Sequence, residues 1–174
     1  LQINKTKNSA TLKNTPAQLS ISGVNETALK AMEAISDKGV PTASQDAGLQ
    51  ELSYKMENSE KVFNLTTQPV RWNILKDVIV TAWTYNGTVP GPLIRVTEGD
   101  KVKILVKNDL SEPTTIHWHG IQVPNNVDGI PGETQEPIQP GETFTYEFVA
   151  KHAGTYWYHS HFDSDKQISV GLSG

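Results

Sequence analysis

The stretch Thr114-Thr-Ile-His-Trp-His-Gly120 decides the fold of this chain, together with a second one, Gly154-Thr-Tyr-Trp-Tyr-His-Ser-His161. Each stretch contains a His-x-His pair, which is His117 with His119 in the first and His159 with His161 in the second. Both pairs are surrounded by Thr, Ile, Trp and Tyr, which favour β-strands. Alternate side chains of a strand lie on one face, so each pair points two imidazoles the same way. Four imidazoles therefore converge if the two strands are neighbours or face each other.

Converging imidazoles are typical of a metal site. Neutral imidazole is the commonest protein metal ligand. It suits copper, zinc, nickel and iron, and affinity for divalent ions is highest at copper. The alternative is that these are ordinary histidines, but two polar residues on one buried strand face are costly without a metal or another partner. Because four of the five histidines fall in the two pairs, we favour a metal site.

Composition limits the class of protein. A length of 174 residues is typical of one domain with additional residues at one terminus. Its net charge of −4 gives no reason to expect nucleic acid or an anionic membrane as a partner. No apolar run approaches the length of a membrane span. The first residues lack the pattern of a signal peptide, so either the protein is intracellular or a signal was removed before residue 1.

The sequence contains no cysteine. Disulfides, thiolate zinc sites and iron–sulfur clusters are therefore excluded. A blue copper centre within this chain is excluded as well, because that site requires a cysteine thiolate.

Periodicity divides the chain into two parts. Residues 1–57 are mostly polar and are expected to form an N-terminal arm with a short helix at about 25–38, capped by Asn25 and stopped by Gly39. From residue 58 to 174, short alternating runs and frequent turns predict an all-β sandwich or barrel with no helix between the strands. The segment from Pro124 to Pro140 is predicted to be a loop, because it contains four prolines and two glycines.

These residues resemble the first domain of the multicopper oxidases, the laccase-like enzymes. The similarity covers roughly residues 60–174 and leaves residues 1–57 outside. Its most specific part is His-Trp-His-Gly followed by Trp-Tyr-His-Ser-His. The supporting motifs are Tyr85-Asn-Gly-Thr-Val-Pro-Gly-Pro92, Arg95-Val-Thr-Glu-Gly-Asp100, Asp128-Gly-Ile-Pro-Gly132, Thr134-Gln135, Ile138-Gln-Pro-Gly141 and Gly171-Leu172.

The resemblance implies a cupredoxin-like Greek-key β-sandwich or barrel and a copper cofactor. In that family, histidines from two domains hold a trinuclear copper cluster that reduces O2. By position, His117 resembles the ligand of the type 2 copper, and His119, His159 and His161 resemble ligands of the type 3 coppers. Asp128 matches an acidic residue that helps to deliver protons in the complete enzyme; its alternative role is that of a turn residue in Asp-Gly.

The same resemblance implies a longer parent enzyme. Its remaining cupredoxin domains would supply the other ligands and the blue copper site, where phenols or metal ions are oxidised. We expect Gly174 to precede a further closing strand, and the protein to be secreted or in the cell envelope. Copper nitrite reductases resemble this pattern less, because their first domain carries a cysteine copper ligand.

Because the chain has no cysteine, we expect it to be inactive as an oxidase on its own. Two other functions remain open. The isolated chain is either a non-catalytic copper-binding module that self-associates, or a structural domain that binds no metal. The paired histidines argue against the structural domain.

Overall fold

The computed structural model describes residues 36–76 and 78–174. Within these residues, seven strands form two sheets, one of five strands and one of two. The strands are β1 Lys55–Glu57, β2 Glu60–Leu75, β3 Val78–Tyr85, β4 Lys101–Asn108, β5 Ile116–His119, β6 Thr143–Val149 and β7 Trp157–Ser160.

The larger sheet is built around β2, a strand of 16 residues. Its first half pairs with β1 on one side and runs parallel to β4 as far as Thr66. From Thr67 onward it pairs antiparallel with β3. Pro69 lies in this second half, beyond the last pair with β4, so its missing N–H takes nothing from the β2–β4 ladder. The sheet is completed by β6, which pairs antiparallel with β4.

The smaller sheet pairs β5 with β7 and packs its apolar face on the larger sheet. Ile116 and Trp118 of β5 meet Ile104 and Tyr146 of the larger sheet in one core, and all four side chains are at most 2% exposed. Burying a large apolar side chain stabilises the fold by about 1.5–3 kcal/mol. The predicted all-β, cupredoxin-like sandwich is thus confirmed.

The described residues also form two short helices, one between β5 and β6 and one after β7. Asn125–Val127 forms a 3-10 turn within the predicted loop, and Ser164–Ser169 forms a short α-helix, here α1. Helix α1 lies after β7, the last of the described strands, where the sequence predicts no helix. Six residues are too few to show a helical repeat of apolar side chains, so the helix left no periodic signal. Among the described residues, no helix is long and apolar enough to cross a membrane.

The predicted arm and its helix are only partly described. Residues 25–35 of that helix lie outside the described residues, and residues 36–38 are not helical. Further along, Ala43 N–H donates to the Arg71 carbonyl, and Glu51 bridges to Leu93. Residues from about 41 to 57 therefore hydrogen-bond to the sandwich. The division of the chain at residue 57 stays a prediction.

Candidate metal centre

The pairing of β5 with β7 brings the four predicted histidines together. In the antiparallel register His117 lies opposite His159. Ring centroids of His119, His159 and His161 are 5.6, 5.4 and 5.5 Å from that of His117. His117 is therefore the central member of the cluster.

Strand alternation explains why the histidines share a face. Trp118 of β5 and Tyr158 of β7 turn into the core and are 2% and 6% exposed. Their neighbours in sequence, His117 and His159, must then point to the opposite face of this small sheet. A shift of one residue in either strand would exchange the two sets. The packing of the aromatic side chains thus fixes where the imidazoles lie.

Three of the histidines form a compact set of possible ligands. One ring nitrogen from each of His117, His119 and His159 lies within 4.8 Å of the others. His161 is outside that set, and its ring centroid is 6.2 Å from that of His159. The four side chains differ in exposure. His159 is buried, His117 and His161 are half-buried, and His119 is exposed. The site therefore lies at the surface and opens on the side of His119.

Backbone carbonyls orient two of the rings. Nδ1 of His117 lies 2.7 Å from the carbonyl oxygen of Asp128, and Nδ1 of His159 lies 2.8 Å from that of Ser160. In a neutral imidazole each Nδ1–H donates to its carbonyl, which leaves Nε2 with a free lone pair. Histidines that bind metals commonly donate their second N–H in this way. Both rings are thus held in the tautomer that a metal ligand requires.

A close nitrogen–nitrogen contact joins the two strands. Nδ1 of His119 is 3.2 Å from Nε2 of His159. Two lone pairs cannot face each other at this distance, so a proton or a cation must lie between them. Burial lowers the pKa of His159; the Ser160 carbonyl partly opposes this, and the neighbouring histidines His117, His119 and His161 add to it. His159 is thereby kept in the neutral form that binds metals.

Asp128 lies beside the cluster. Its carboxylate Oδ1 is 3.5 Å from Nδ1 of His117, and its side chain is 33% exposed. The next residue, Gly129, has φ +86°, and a Cβ there would lie 1.9 Å from the Ile116 carbonyl oxygen. Only glycine allows the loop to approach β5 so closely. This contact holds Asp128 against the strand that carries His117.

Aromatic side chains pack around the cluster. The Trp157 ring centroid is 4.0 Å from that of His159 and 5.5 Å from that of His119, and Trp157 is 41% exposed. Trp118 instead packs in the core against Tyr146. Trp157 is thus an exposed aromatic neighbour of the histidines. His152 lies outside the cluster, where its exposed ring bonds to Gln122 at 3.0 Å.

Sequence reasoning missed the residues that support the site from the buried face of the β5–β7 sheet. Buried Gln167 of α1 bonds to Ser160 of β7 and to Thr114, which leads into β5. A single glutamine six residues after the last histidine carries no local signal, because its role depends on contacts with residues distant in sequence. The motif His159-Ser-His161 could have pointed to Ser160 as a supporting hydroxyl.

The residues present fit a copper ion. Imidazole nitrogens alone make up the compact set, and imidazole suits copper, zinc, iron and nickel. Two of the rings have their second nitrogen bonded to a carbonyl. The absence of thiolate in the whole sequence restricts such a site to nitrogen and oxygen ligands.

Comparison with known families decides among these metals. The family model described as multicopper oxidase matches residues 66–174, which include all four histidines. This chain belongs to the multicopper oxidase family. Membership confirms the resemblance seen in the sequence and the copper cofactor that it implied.

Several multicopper oxidases and copper resistance proteins are similar to this chain. Copper resistance protein A of Escherichia coli is 39% identical over 153 residues, which are 87% of this chain and 23% of that protein. A multicopper oxidase of Mycobacterium tuberculosis is 41% identical over 140 residues, 77% of this chain and 26% of that protein. Among solved structures, a multicopper oxidase from Campylobacter jejuni, titled a metallo-oxidase, aligns with a TM-score of 0.66 and 40% identity. That alignment covers 80% of this chain and 30% of the other.

The chain is thus a cupredoxin-type domain of a multicopper oxidase, with a cluster of histidines on one face. It spans about a quarter or less of the length of the curated relatives described. The binding of copper by His117, His119, His159 and His161, and the role of Asp128, stay predictions.

Proposed function

We propose that this chain is the copper-binding domain of a laccase-like multicopper oxidase, and that its four histidines help to hold a trinuclear copper cluster. The observation that carries the proposal is the register of β5 and β7, which puts His117 opposite His159. With His119, these residues bring three ring nitrogens within 4.8 Å. His161 joins them from the end of β7.

Each histidine has a separate part in the proposal. By its match to the family motif, His117 holds the type 2 copper, and His119, His159 and His161 contribute to the type 3 coppers. The hydrogen bonds of His117 to the Asp128 carbonyl and of His159 to the Ser160 carbonyl fix their rings before any metal binds. Pre-oriented ligands lose less conformational freedom on binding, which strengthens the site.

Copper, when bound, supplies the one-electron redox chemistry by which O2 is reduced to water, while phenols or metal ions are oxidised elsewhere in the parent enzyme. The residues of this chain orient the imidazoles and transfer protons. Asp128 supports the second task because its carboxylate lies 3.5 Å from the His117 ring and is 33% exposed. A carboxylate that contacts both solvent and the site can accept a proton and return it.

The complete parent oxidase offers the sharpest test of this role. A His117→Ala variant should lose most O2 consumption yet keep its blue absorption, because the cysteine that produces the blue band lies in another domain. A His152→Ala variant is the matched control, since His152 is exposed and outside the cluster. O2 consumption that is unchanged in His117→Ala would contradict the proposal.

A second candidate function is an isolated copper-binding module without catalysis, which self-associates. It is favoured by the absence of cysteine in all 174 residues and by the exposed surface of His119 and Trp157 beside the site. A copper ion with vacant positions can recruit a histidine from a second chain. Light scattering with and without Cu(II) tests this function. A mass that stays that of the monomer in both conditions would contradict it.

We also place the protein outside the cytoplasm, in the secreted fraction or the cell envelope. The support is the likeness to proteins named laccase and copper resistance protein. Fractionation of the source cells, with detection by an antibody to the chain, tests the placement. Recovery in the cytoplasmic fraction alone would contradict it.

A further inference from the structure

One polar side chain is buried directly behind the histidine sheet. Gln167 lies on α1 and is fully buried. A buried amide destabilises a fold by about 1–3 kcal/mol unless its polar atoms are hydrogen-bonded. The bonds that Gln167 makes therefore indicate what its burial accomplishes.

Gln167 binds both histidine-bearing segments at once. Its Oε1 accepts hydrogen bonds from Thr114 Oγ1 at 2.8 Å and from Ser160 Oγ at 2.6 Å. Its Nε2 donates to the Pro113 carbonyl at 2.9 Å. Thr114 leads into β5, and Ser160 stands between His159 and His161 at the end of β7. One amide thus joins the two strands through their side chains.

These bonds are made on the face opposite to the imidazoles. Ser160 pairs with Ile116 in the register, and both are fully buried. Thr114, two residues before Ile116, is fully buried as well. Because side chains alternate along a strand, His117 and His159 project from the other face. Gln167 therefore secures the sheet without touching the site.

A small sheet needs such a connection. β5 and β7 each have four residues, and a two-stranded sheet is marginally stable by itself. A slip of one residue would turn the histidines of the slipped strand toward the core. We propose that Gln167 is a positioning residue that fixes the register of the two histidine-bearing strands. The link to copper rests on the function proposed above, whereas the effect on register does not.

The test compares two variants that each lose a buried hydrogen bond. Gln167→Met keeps the length of the side chain and removes its amide. Thr67→Val removes a buried bond in the larger sheet, where Thr67 Oγ1 donates to Asn108 Oδ1 at 2.9 Å. In the copper-free chain, Gln167→Met should shift the imidazole NMR signals of His117 and His159 and speed amide exchange in β5 and β7. Thr67→Val should leave these signals unchanged.

Titration with Cu(II) alone provides the second readout. Loss of a residue that supports metal ligands typically weakens affinity about 10- to 100-fold, and we expect such a loss in Gln167→Met. Thr67→Val should bind within about twofold of the unmodified chain, since the hydroxyl that it removes bonds to neither β5 nor β7. Thr114→Val, which retains the β-branched shape, should weaken Cu(II) binding in the same direction as Gln167→Met. The double variant should lose no more affinity than Gln167→Met, because Thr114 acts through Gln167.

The outcomes separate the two proposals. Imidazole signals that stay in place in Gln167→Met, or additive losses in the double variant, would overturn the positioning role. If Gln167→Met does not fold, the same signals in Thr114→Val decide the matter. If the unmodified chain binds no Cu(II) while the signals still shift in Gln167→Met, the positioning role stands and the proposed function fails.

Discussion

His117 on β5 lies directly opposite His159 on β7, and their ring centroids are 5.4 Å apart. One hydrogen-bonded register thus brings together histidines that are far apart in sequence. It also explains why the two His-x-His motifs lie next to each other on one face of the sheet.

The Asp128–Gly129 loop should be very sensitive to a single methyl group. In Gly129→Ala the new Cβ would lie 1.9 Å from the Ile116 carbonyl, at a residue with φ +86°. Strain in the left-handed region and overpacking together should lower the free energy of unfolding by about 3 kcal/mol. Urea denaturation measures the change.

Gly132→Ala is the matched control for that loop. Gly132 has φ +75°, but nothing lies within 4 Å of its added Cβ. Gly132→Ala should therefore lower the free energy of unfolding only by the backbone strain, about 1–2 kcal/mol. Equal losses in the two variants would contradict the close approach of the loop to β5.

The buried tyrosines of the core should make the fold less stable in alkaline solution. Burial raises the pKa of Tyr85 and of Tyr146 above the usual value of 10.0. A raised pKa in the folded state stabilises the fold below the unfolded pKa, and this contribution is lost as pH rises above it. We expect both phenols to ionise together with unfolding, which tyrosinate absorbance and far-UV circular dichroism can follow in parallel. Their ionisation near pH 10 in a chain that stays folded would contradict this burial.

The chain with Cu(II) bound should show no intense blue absorption and negligible oxidation of phenols. An intense blue band requires charge transfer between copper and a cysteine thiolate, and the sequence has no cysteine. Visible spectroscopy and O2 consumption with a phenolic substrate test this expectation. Steady turnover by the purified chain would refute the division of labour between this domain and the parent enzyme.

Removal of the Asp128 carboxylate should impair proton transfer and leave the copper affinity unchanged. His117 Nδ1–H donates to the backbone carbonyl of Asp128, and Asp128→Asn retains that carbonyl. In the complete oxidase this variant should slow O2 reduction about 100-fold or more, the usual contribution of a positioned acid or base. It should also change the pH profile, and Asp128→Glu should restore part of the rate. A normal rate, or loss of copper, would contradict the proton role.

Features encoded within a few residues could be predicted from the sequence. The alternating runs include β4 and β6, whose Ile104 and Tyr146 are fully buried. Asn-Gly is a typical hairpin turn pair, and Asn86 and Gly87 both have positive φ between bridged Tyr85 and Thr88. The two His-x-His pairs identified the site because period-two spacing is a local property.

Features that depend on tertiary contacts could not be predicted. Helix α1 is too short for periodicity, and it is held by bonds such as that of Lys166 to Glu112 in a distant loop. The role of Gln167 depends on a bond from Thr114, which lies 53 residues earlier in the sequence. Likewise, the change of partner along β2 from β4 to β3 depends on the sheet and not on the strand itself.

The central claim is that paired histidines across β5 and β7 bind copper, and Cu(II) titration followed by electron paramagnetic resonance tests it most directly. The unmodified chain and His152→Ala should bind Cu(II) with signals from imidazole nitrogen, and more tightly than Zn(II). A double variant, His117→Ala with His159→Ala, should lose more affinity than the roughly 100-fold that supporting residues contribute. If the unmodified chain binds no Cu(II), or if the double variant binds as tightly as the unmodified chain, the claim is contradicted.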